Sequence, residues 1–409
     1  MTIDSEKWIE SLPKEWSITK IENHFKCRNE KVNDTDYPPL SVAKQGVVPQ
    51  IETVAKTDAN DNRKLVLMND FVINSRSDRK ESCGLSKLNG SVSLINHVLF
   101  QNGQDYYMPF VGILFKNYGF AEEFYRWGHG IVADLWTTRW QEMKNIEIPL
   151  PPLKEQKLIF DFLTNRTSKI DQLISNQEKQ IEELKEYRQA IITKAVTKGL
   201  DPNAPMKDSG VEWIGNIPCN WETLRLKYCF SVRNEKYENG NYDYVALENV
   251  ESFSGKYIAT ESNAFYSLAG TIRANRNDVI FGKLRPYLSK AFLIAKDCYV
   301  SSEFAVLYGL GGNRTSFLKY LLISSKFIDV INSSTYGTKM PRANIDFIRN
   351  LEIAIPDVKI QNEIVNYLDE TCRKIDRLID VKVKKIAQLS NYKKSLIYEY
   401  VTGKKRVSL

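Results

Sequence analysis

The sequence predicts an α+β protein built from two copies of one unit, each joining a mixed globular region to one long helix. Residues 145–197 recur without a gap at 350–402, and 20 of the 53 aligned positions are identical. Residues 8–31 recur at 213–236 with the same offset of 205. A period of this length indicates duplicated domains, because solenoid repeats are only ~20 to 50 residues long. The residues between the two matched stretches hardly agree, so the copies share a framework and differ inside it.

Four segments follow along the chain. Short apolar runs such as Phe71–Ile73 alternate with Gly, Asn and Asp, a pattern typical of strands and turns. The prolines of 146–152 end a strand and preset the first turn of a helix. We therefore predict a globular region at 1–150, a central helix at 151–200, a second globular region at 201–355 and a C-terminal helix at 356–409.

Both helices carry a coiled-coil pattern. No Gly or Pro interrupts residues 154–198, and apolar residues recur at alternating three- and four-residue steps. Each stripe is too long for its own globular region to cover, so we predict that the helices pair with each other. The predicted pairing positions are Ile170, Leu173, Leu184 and Tyr187 in the first helix and Ile375, Leu378, Leu389 and Tyr392 in the second.

One polar residue interrupts each stripe at an equivalent position. Gln177 and Lys382 are related by the offset of 205. A buried polar residue in such a seam can fix the register and the partner. The alternative is that both side chains lie at the solvent edge of the seam.

Composition narrows the functional classes. The net charge of +7 suits an acidic partner such as nucleic acid without proving one. Six cysteines without CxxC spacing and three scattered histidines argue against zinc and disulfide scaffolds. No run approaches the ~20 apolar residues of a membrane span, and the first residues lack a targeting pattern. The sequence predicts a cytoplasmic protein that does not bind membranes.

Two pairs of segments inside the copies are candidates for DNA contact. Residues 69–80 and 277–287 each form a turn, a short apolar strand and a basic, polar cluster, and residues 126–130 and 336–342 form a second pair before the helices. Strands can deliver Arg to guanine and Ser or Lys to phosphates. The alternatives are solvated loops for the first pair, and turns with core aromatic residues for the second. The candidate residues are Ser75, Arg76, Arg79, Lys80, Lys283, Arg285, Tyr287, Lys339 and Arg342.

Enzyme signatures are missing from the sequence. It contains no phosphate-binding loop, no methyltransferase signature and no nucleophile elbow. Residues 356–359 superficially match a nuclease carboxylate motif, but they align with the first helix start, where Asp357 suits a helix cap. We therefore predict no catalytic residues and no metal site in this chain.

The arrangement resembles the specificity subunit of type I restriction-modification systems. The resemblance covers the whole chain and depends on the Gly-Leu-Asp-Pro segment 199–202, residues 210–218 with Trp221, residues 281–287, the proline-to-helix junction and the two-copy framework. It implies two target recognition domains that each read half of a split, asymmetric site in double-stranded DNA. It also implies two spacer helices that pair antiparallel with pseudo-twofold symmetry.

The same resemblance implies partner subunits for this chain, and one alternative function remains. Methyltransferase subunits would carry S-adenosylmethionine, and restriction subunits, which translocate DNA, would use ATP and magnesium. This chain would be a non-catalytic subunit without a cofactor of its own. The alternative is a non-enzymatic coiled-coil scaffold whose globular regions bind other proteins.

Overall fold

The computed structural model describes residues 8–9, 12–51, 61–131, 136–235, 243–258, 271–337 and 339–407. The chain forms two compact units. Unit 1 comprises Met1–Gln177 and Lys384–Leu409, and unit 2 comprises Glu178–Val383. Each unit contains a mixed region, here called head 1 (residues 12–150) and head 2 (residues 206–355), together with part of each long helix.

Head 1 combines short strands with short helices. The strands are β1 Ser17–Lys20, β2 Phe25–Cys27, β3 Lys31–Val32, β4 Leu40–Ala43, β5 Gly46–Pro49, β6 Arg63–Val66, β7 Phe71–Asn74, β8 Cys83–Leu85, β9 Gly90–Ser93, β10 Asn96–Gln101 and β11 Glu147–Leu150. The helices are α1 Ile21–His24, α2 Met108–Leu114, α3 Tyr118–Arg126 and α4 Trp140–Met143. A four-stranded antiparallel sheet has the order β2-β10-β7-β8, beside the sheets β3-β6-β9, β4-β5 and β1-β11.

The central strand β7 shows why this sheet forms. Successive side chains of a strand point to opposite faces. Phe71 and Ile73 accordingly lie in the main core, with aromatic residues of α2 and α3. Val72 lies in a second, smaller core on the other face. Both faces of β7 are therefore covered, which holds the end of the strand in a fixed position.

Head 2 has the same kind of construction. Its strands are β12 Met206–Asp208, β13 Asn216–Pro218, β14 Glu222–Arg225, β15 Phe230–Arg233, β16 Tyr244–Val245, β17 Ile272–Ala274, β18 Val279–Gly282, β19 Ala291–Leu293, β20 Cys298–Val300, β21 Phe304–Gly309 and β22 Glu352–Ile355. The helices are α6 Leu226–Cys229, α7 Thr315–Ile323, α8 Ser325–Ser333 and α9 Ile345–Asn350. The sheets have the orders β15-β21-β18-β19, β16-β20-β17, β14-β22 and β12-β13.

Strand registers agree between the heads. Ser17 of β1 lies opposite Leu150 of β11, and Glu222 of β14 lies opposite Ile355 of β22, so both partners differ by 205. The turns before β7 and β18 also agree, because Asn69 (φ 71°) and Asn277 (φ 69°) both adopt the left-handed conformation that Asn tolerates.

The retained Arg-Asn-Glu-Lys stretch anchors those turns. Arg28 binds Asp70 through two hydrogen bonds of 3.0 and 3.1 Å, and Arg233 binds Asp278 at 2.8 and 3.3 Å. The two aspartates are almost fully buried, so a charge-assisted pair is needed to satisfy them. Lys236, the last residue of the second stretch, lies outside the described residues.

Two long helices follow the heads. Helix α5 spans Leu153–Lys198 and helix α10 spans Val358–Val401. Gly199 ends the first at φ 74°, the left-handed geometry expected after a helix C-terminus. Asp357 Oδ1 accepts a hydrogen bond of 2.9 Å from the Ile360 amide, so the interpretation of Asp357 as a helix cap is confirmed.

The helices pair antiparallel inside each unit. In unit 1, Phe162 packs on Tyr400 with ring centroids 4.7 Å apart, and Asp171 binds Lys393 at 2.6 Å. Later positions of α5 thus meet earlier positions of α10. In unit 2 the same progression places Gln180 beside Lys382 and Arg188 beside Asp376.

The seam contains only half of the predicted pairing positions. Ile170 and Ile375 are buried and Leu184 and Leu389 are half-buried, as expected for pairing positions. The prediction is wrong for four residues that are 47 to 59% exposed: Leu173, Tyr187, Leu378 and Tyr392.

Helix geometry explains the error. Ile174 packs in the core of unit 1, and the side chains of Ile181 and Arg188 are buried. Ile174 and Arg188 directly follow the predicted residues Leu173 and Tyr187, and Ile181 lies seven residues from both Ile174 and Arg188. One residue turns an α-helix by about 100°, so Leu173 and Tyr187 face away from the seam. Gln177 and Lys382 are only half-buried, which agrees with a position at the solvent edge.

No helix in the described ranges is long and apolar enough to cross a membrane. The six cysteines, Cys27, Cys83, Cys219, Cys229, Cys298 and Cys372, are free thiols.

Candidate nucleic-acid interface

The structure brings the two candidate segments of head 1 together. The basic part of the first, residues 75–80, begins where β7 ends, and the Ser77 amide donates to Trp136 O at 2.8 Å. Residue Thr137 bridges to both Arg76 and His129, which belong to different candidate segments. Residues 75–80 and 126–130 therefore meet across one short stretch of chain at the end of β7.

Head 2 has the same arrangement at the end of β18. The Arg285 amide donates to Pro341 O at 2.8 Å, and Leu284 and Tyr336 both bridge to Arg342. Residues 283–287 and 336–342 therefore form one surface. Thr338, inside the second segment, lies outside the described residues.

A third segment joins each surface and was missed by the sequence analysis. In head 1 the Ser75 hydroxyl donates to Ile95 O at 2.7 Å, and in head 2 the Lys283 amide donates to Glu303 O at 2.8 Å. Ile95 and Glu303 lie in the turns before β10 and β21, and they differ by the offset of 208 that relates the first segments. A short turn between two apolar runs was the available signal.

The basic residues of head 1 are exposed and share acidic partners. Arg76 and Arg79 lie 3.1 and 3.7 Å from Asp78, and Lys80 lies 3.0 Å from Glu122. Their side chains are 41, 65 and 49% exposed. Exposed pairs of this kind contribute only ~0 to 1 kcal/mol, so a phosphate or a base can replace the acid.

Ser75 does not belong to this exposed set. It is buried, and its hydroxyl is committed to the Ile95 carbonyl. Successive side chains at the end of β7 point to opposite faces, and that of Ser75 points inward. We exclude Ser75 from the contacts proposed below.

Head 2 presents a different set of side chains at the same place. Arg285 is exposed in a left-handed conformation (φ 50°), and Lys339 is also exposed. Neither has an ion-pair partner among the residues that the structure describes. Tyr287 is 44% exposed beside them. Burial lowers the pKa of the Lys283 ammonium, while the charge of Glu303 raises it and that of Arg342 lowers it.

The second candidate segments lie at the surface rather than in the core. Trp127 is 37% exposed and donates from its indole nitrogen to Glu123 at 2.8 Å, and Tyr336 is 61% exposed. The alternative of core aromatic residues is therefore wrong for these two positions. Exposed aromatic rings beside basic residues provide apolar contact area as well as charge.

The buried histidine near the surface of head 1 has a structural role. Burial lowers the pKa of His97. Its Nε2 lies 2.8 Å from the carbonyl oxygen of Thr138, so the ring connects β10 to the stretch that contacts residues 75–80. Within the described ranges, no three His, Cys, Asp or Glu residues are grouped in a way that could hold a metal ion.

Comparison with known families decides the classification. The family model for the type I restriction modification DNA specificity domain matches residues 137–183 and 219–391, more than half of the chain. The chain belongs to this specificity family. The match includes the candidate segments of head 2 and begins after both candidate segments of head 1.

Individual members of the specificity family agree with this classification. The chain is 30% identical over 288 residues to the type I restriction enzyme MjaVIII specificity subunit of Methanocaldococcus jannaschii, covering 64% of this chain and 63% of that protein. It is 21% identical over 291 residues to the EcoDI specificity subunit of Escherichia coli, covering 64% of this chain and 63% of that protein. The alignments thus span less than two thirds of these relatives.

Solved structures show that the fold is shared. A chain from a study of complex assembly and conformational transition of the type I R-M system superposes with a TM-score of 0.73 at 14% identity, over 97% of this chain and all of that chain. The HsdS subunit of Thermoanaerobacter tengcongensis superposes with a TM-score of 0.50 at 15% identity, over 96% of this chain and 98% of that one. This specificity-family chain therefore has the mixed helix and strand fold of such subunits.

Proposed function

We propose that this chain reads a bipartite, asymmetric site in double-stranded DNA, with one half-site read by each head. One observation carries the proposal. Each head has a four-stranded sheet, and the frameworks have equal register. At the end of an interior strand of this sheet the heads present different exposed or half-buried residues: Arg76, Arg79 and Lys80 in head 1, and Lys283, Arg285, Tyr287, Lys339 and Arg342 in head 2. A shared framework with different reading residues suits two unlike half-sites.

The long helices would serve as spacer and scaffold. In this proposal the internal duplication gives the pair pseudo-twofold symmetry, and helix length sets the number of unread base pairs. The exposed apolar residues Leu173, Tyr187, Leu378 and Tyr392 occupy equivalent positions in the two copies. We assign them to docking of methyltransferase subunits, which would carry S-adenosylmethionine. Restriction subunits, which would use ATP and magnesium, would join for cleavage.

The four proposed segments then have separate roles. Target recognition falls to residues 1–150 and 201–355, and spacing and docking fall to residues 151–200 and 356–409. The chain itself would be non-catalytic and would hold no cofactor.

Selection from a randomised duplex pool by the purified full-length chain tests this function. We expect two short motifs separated by a fixed number of unread base pairs. Binding should weaken steeply as salt rises, because basic residues that contact phosphates release counterions. The alternative of a protein-interaction scaffold would give no enriched motif and little salt dependence of DNA binding.

A further inference from the structure

Arg342 and Glu303 of head 2 form an acid-base pair inside an otherwise basic surface. The Nη1–Oε2 distance is 2.8 Å, and Nη2 donates to Oε1 at 2.9 Å. The Arg342 side chain is 42% exposed and the Glu303 side chain is 25% exposed. The pair is therefore accessible from one side, although its two members hold each other in place.

The backbone under this pair is well fixed. The Glu303 carbonyl accepts a hydrogen bond of 2.8 Å from the Lys283 amide, and the Lys283 carbonyl accepts one of 2.9 Å from the Ala343 amide. The Arg342 amide donates to Tyr336 O at 3.1 Å. Lys283 thus links the turn before β21 to the stretch that carries Arg342, so both charged side chains start from one hydrogen-bonded frame.

The negative charge of Glu303 among basic residues indicates which part of DNA the pair contacts. Around it lie the basic residues Lys283, Arg285 and Lys339, whose positive charges suit acceptors on bases as well as phosphates. Glu303 would repel a phosphate, so its carboxylate weakens binding to the DNA backbone. A carboxylate helps recognition when it accepts a hydrogen bond from a base, and cytosine N4 is the donor that suits it in the major groove.

Stereochemistry matches the pair to a single base pair. Arginine has five donors. Nη2 donates one hydrogen to Glu303 Oε1, while Nη1 lies 2.8 Å from Oε2 without forming a hydrogen bond to it. The Nε hydrogen and the other hydrogens of the two terminal nitrogens have no partner among the described residues. Guanine offers O6 and N7 as acceptors beside the cytosine amino group. O6 and N4 are hydrogen-bonded to each other and lie about 2.9 Å apart, like the two side-chain groups.

We propose that Arg342 and Glu303 together read one G·C base pair in the half-site of head 2. Arg342 donates to guanine O6 and N7, and Glu303 accepts from cytosine N4. The inference rests on the proposed DNA-reading function, and it specifies which two residues of head 2 recognise which base pair. Head 1 has Ile95, 37% exposed, at the position equivalent to Glu303, so it cannot accept this hydrogen bond.

The test is the same duplex selection, performed with the full-length chain and its Glu303→Gln variant. Wild type should enrich a G·C pair in one half-site. The variant should lose preference at that single pair by about 10- to 100-fold, while every other position is unchanged. Glu370→Gln, on the exposed surface of α10, is the matched control and should leave all positions unchanged.

Arg342→Lys is the second variant, because lysine cannot make the bidentate contact. It should relax the same base pair, and it carries the test if Glu303→Gln does not fold. An unchanged ranking of the four base pairs at every position, or an equal loss on all sequences, would overturn the inference. A wild-type chain that enriches no bipartite motif would instead defeat the proposed function.

Discussion

Arg188 donates to Asp376 at 2.7 Å across the helix pair of unit 2, and this contact is repeated in unit 1 with the helices exchanged. Asp171 corresponds to Asp376 and Lys393 corresponds to Arg188 by the offset of 205, and these two residues lie 2.6 Å apart. The duplication therefore retained a contact between helices as well as residue types.

The two contacts differ in burial, so their loss should have different costs. Arg188 is 8% exposed, and Asp376→Ala would leave its charge unpaired, for a loss of about 3 to 5 kcal/mol in the free energy of unfolding. Asp171 is 56% exposed, so Asp171→Ala should cost less than ~1 kcal/mol. Urea unfolding followed by tryptophan fluorescence measures both, and equal shifts in midpoint would contradict the assignment.

Substitutions in the heads should affect separate half-sites. Arg76→Ala with Arg79→Ala should change recognition of one half-site, and Lys283→Ala with Arg285→Ala the other, with about 1 to 3 kcal/mol lost for each good base contact. Binding to duplexes in which each half-site is varied separately provides the measurement. Equal loss on all sequences would identify phosphate contacts, and no loss would identify solvated loops.

A fragment ending near Pro205 should form a homodimer. It keeps head 1 and α5 but lacks α10, so Ile170 and its neighbours lose their partner helix. In the full chain, Ile170 and its neighbours pair with the last part of α10. Residues 178–198 of α5 correspond to residues 383–403 by the offset of 205, so α5 of a second fragment can replace that part of α10. Sedimentation should give a dimer, and the dimer should select a palindrome of the first half-site. A soluble monomer would count against pairing by these residues.

Lengthening both helices should change only the spacer. Four residues inserted after Gln177 and four after Lys382 occupy equivalent places in α5 and α10, so the antiparallel register is kept. The insertion adds roughly 6 Å at 1.5 Å per residue and slightly more than one helical turn. At ~3.4 Å per base pair, the spacer should grow by one or two pairs while both half-sites stay the same. An unchanged spacer would show that helix length does not set it.

The sequence by itself determined the duplication, the two long helices and their ends, and the strands that precede the basic segments. These features have local or periodic causes: the prolines of 146–152, Asp357 as a cap, Gly199 after α5, and apolar residues at three- and four-residue steps. The sequence also identified Arg28 and Arg233 as repeated residues. It did not identify their aspartate partners, which lie 42 and 45 positions away.

Only the tertiary structure decided which side chains face inward and which distant residues meet. Leu173 and Ile174 are adjacent apolar residues, and packing selects the second because one step turns the helix away from its partner. Ser75 and Arg76 are neighbours in one polar cluster, but one is buried and the other exposed. Arg342 and Glu303 meet because β18, β21 and the 336–342 segment pair through their backbones. Contacts of this kind depend on chain topology, which no local residue pattern specifies.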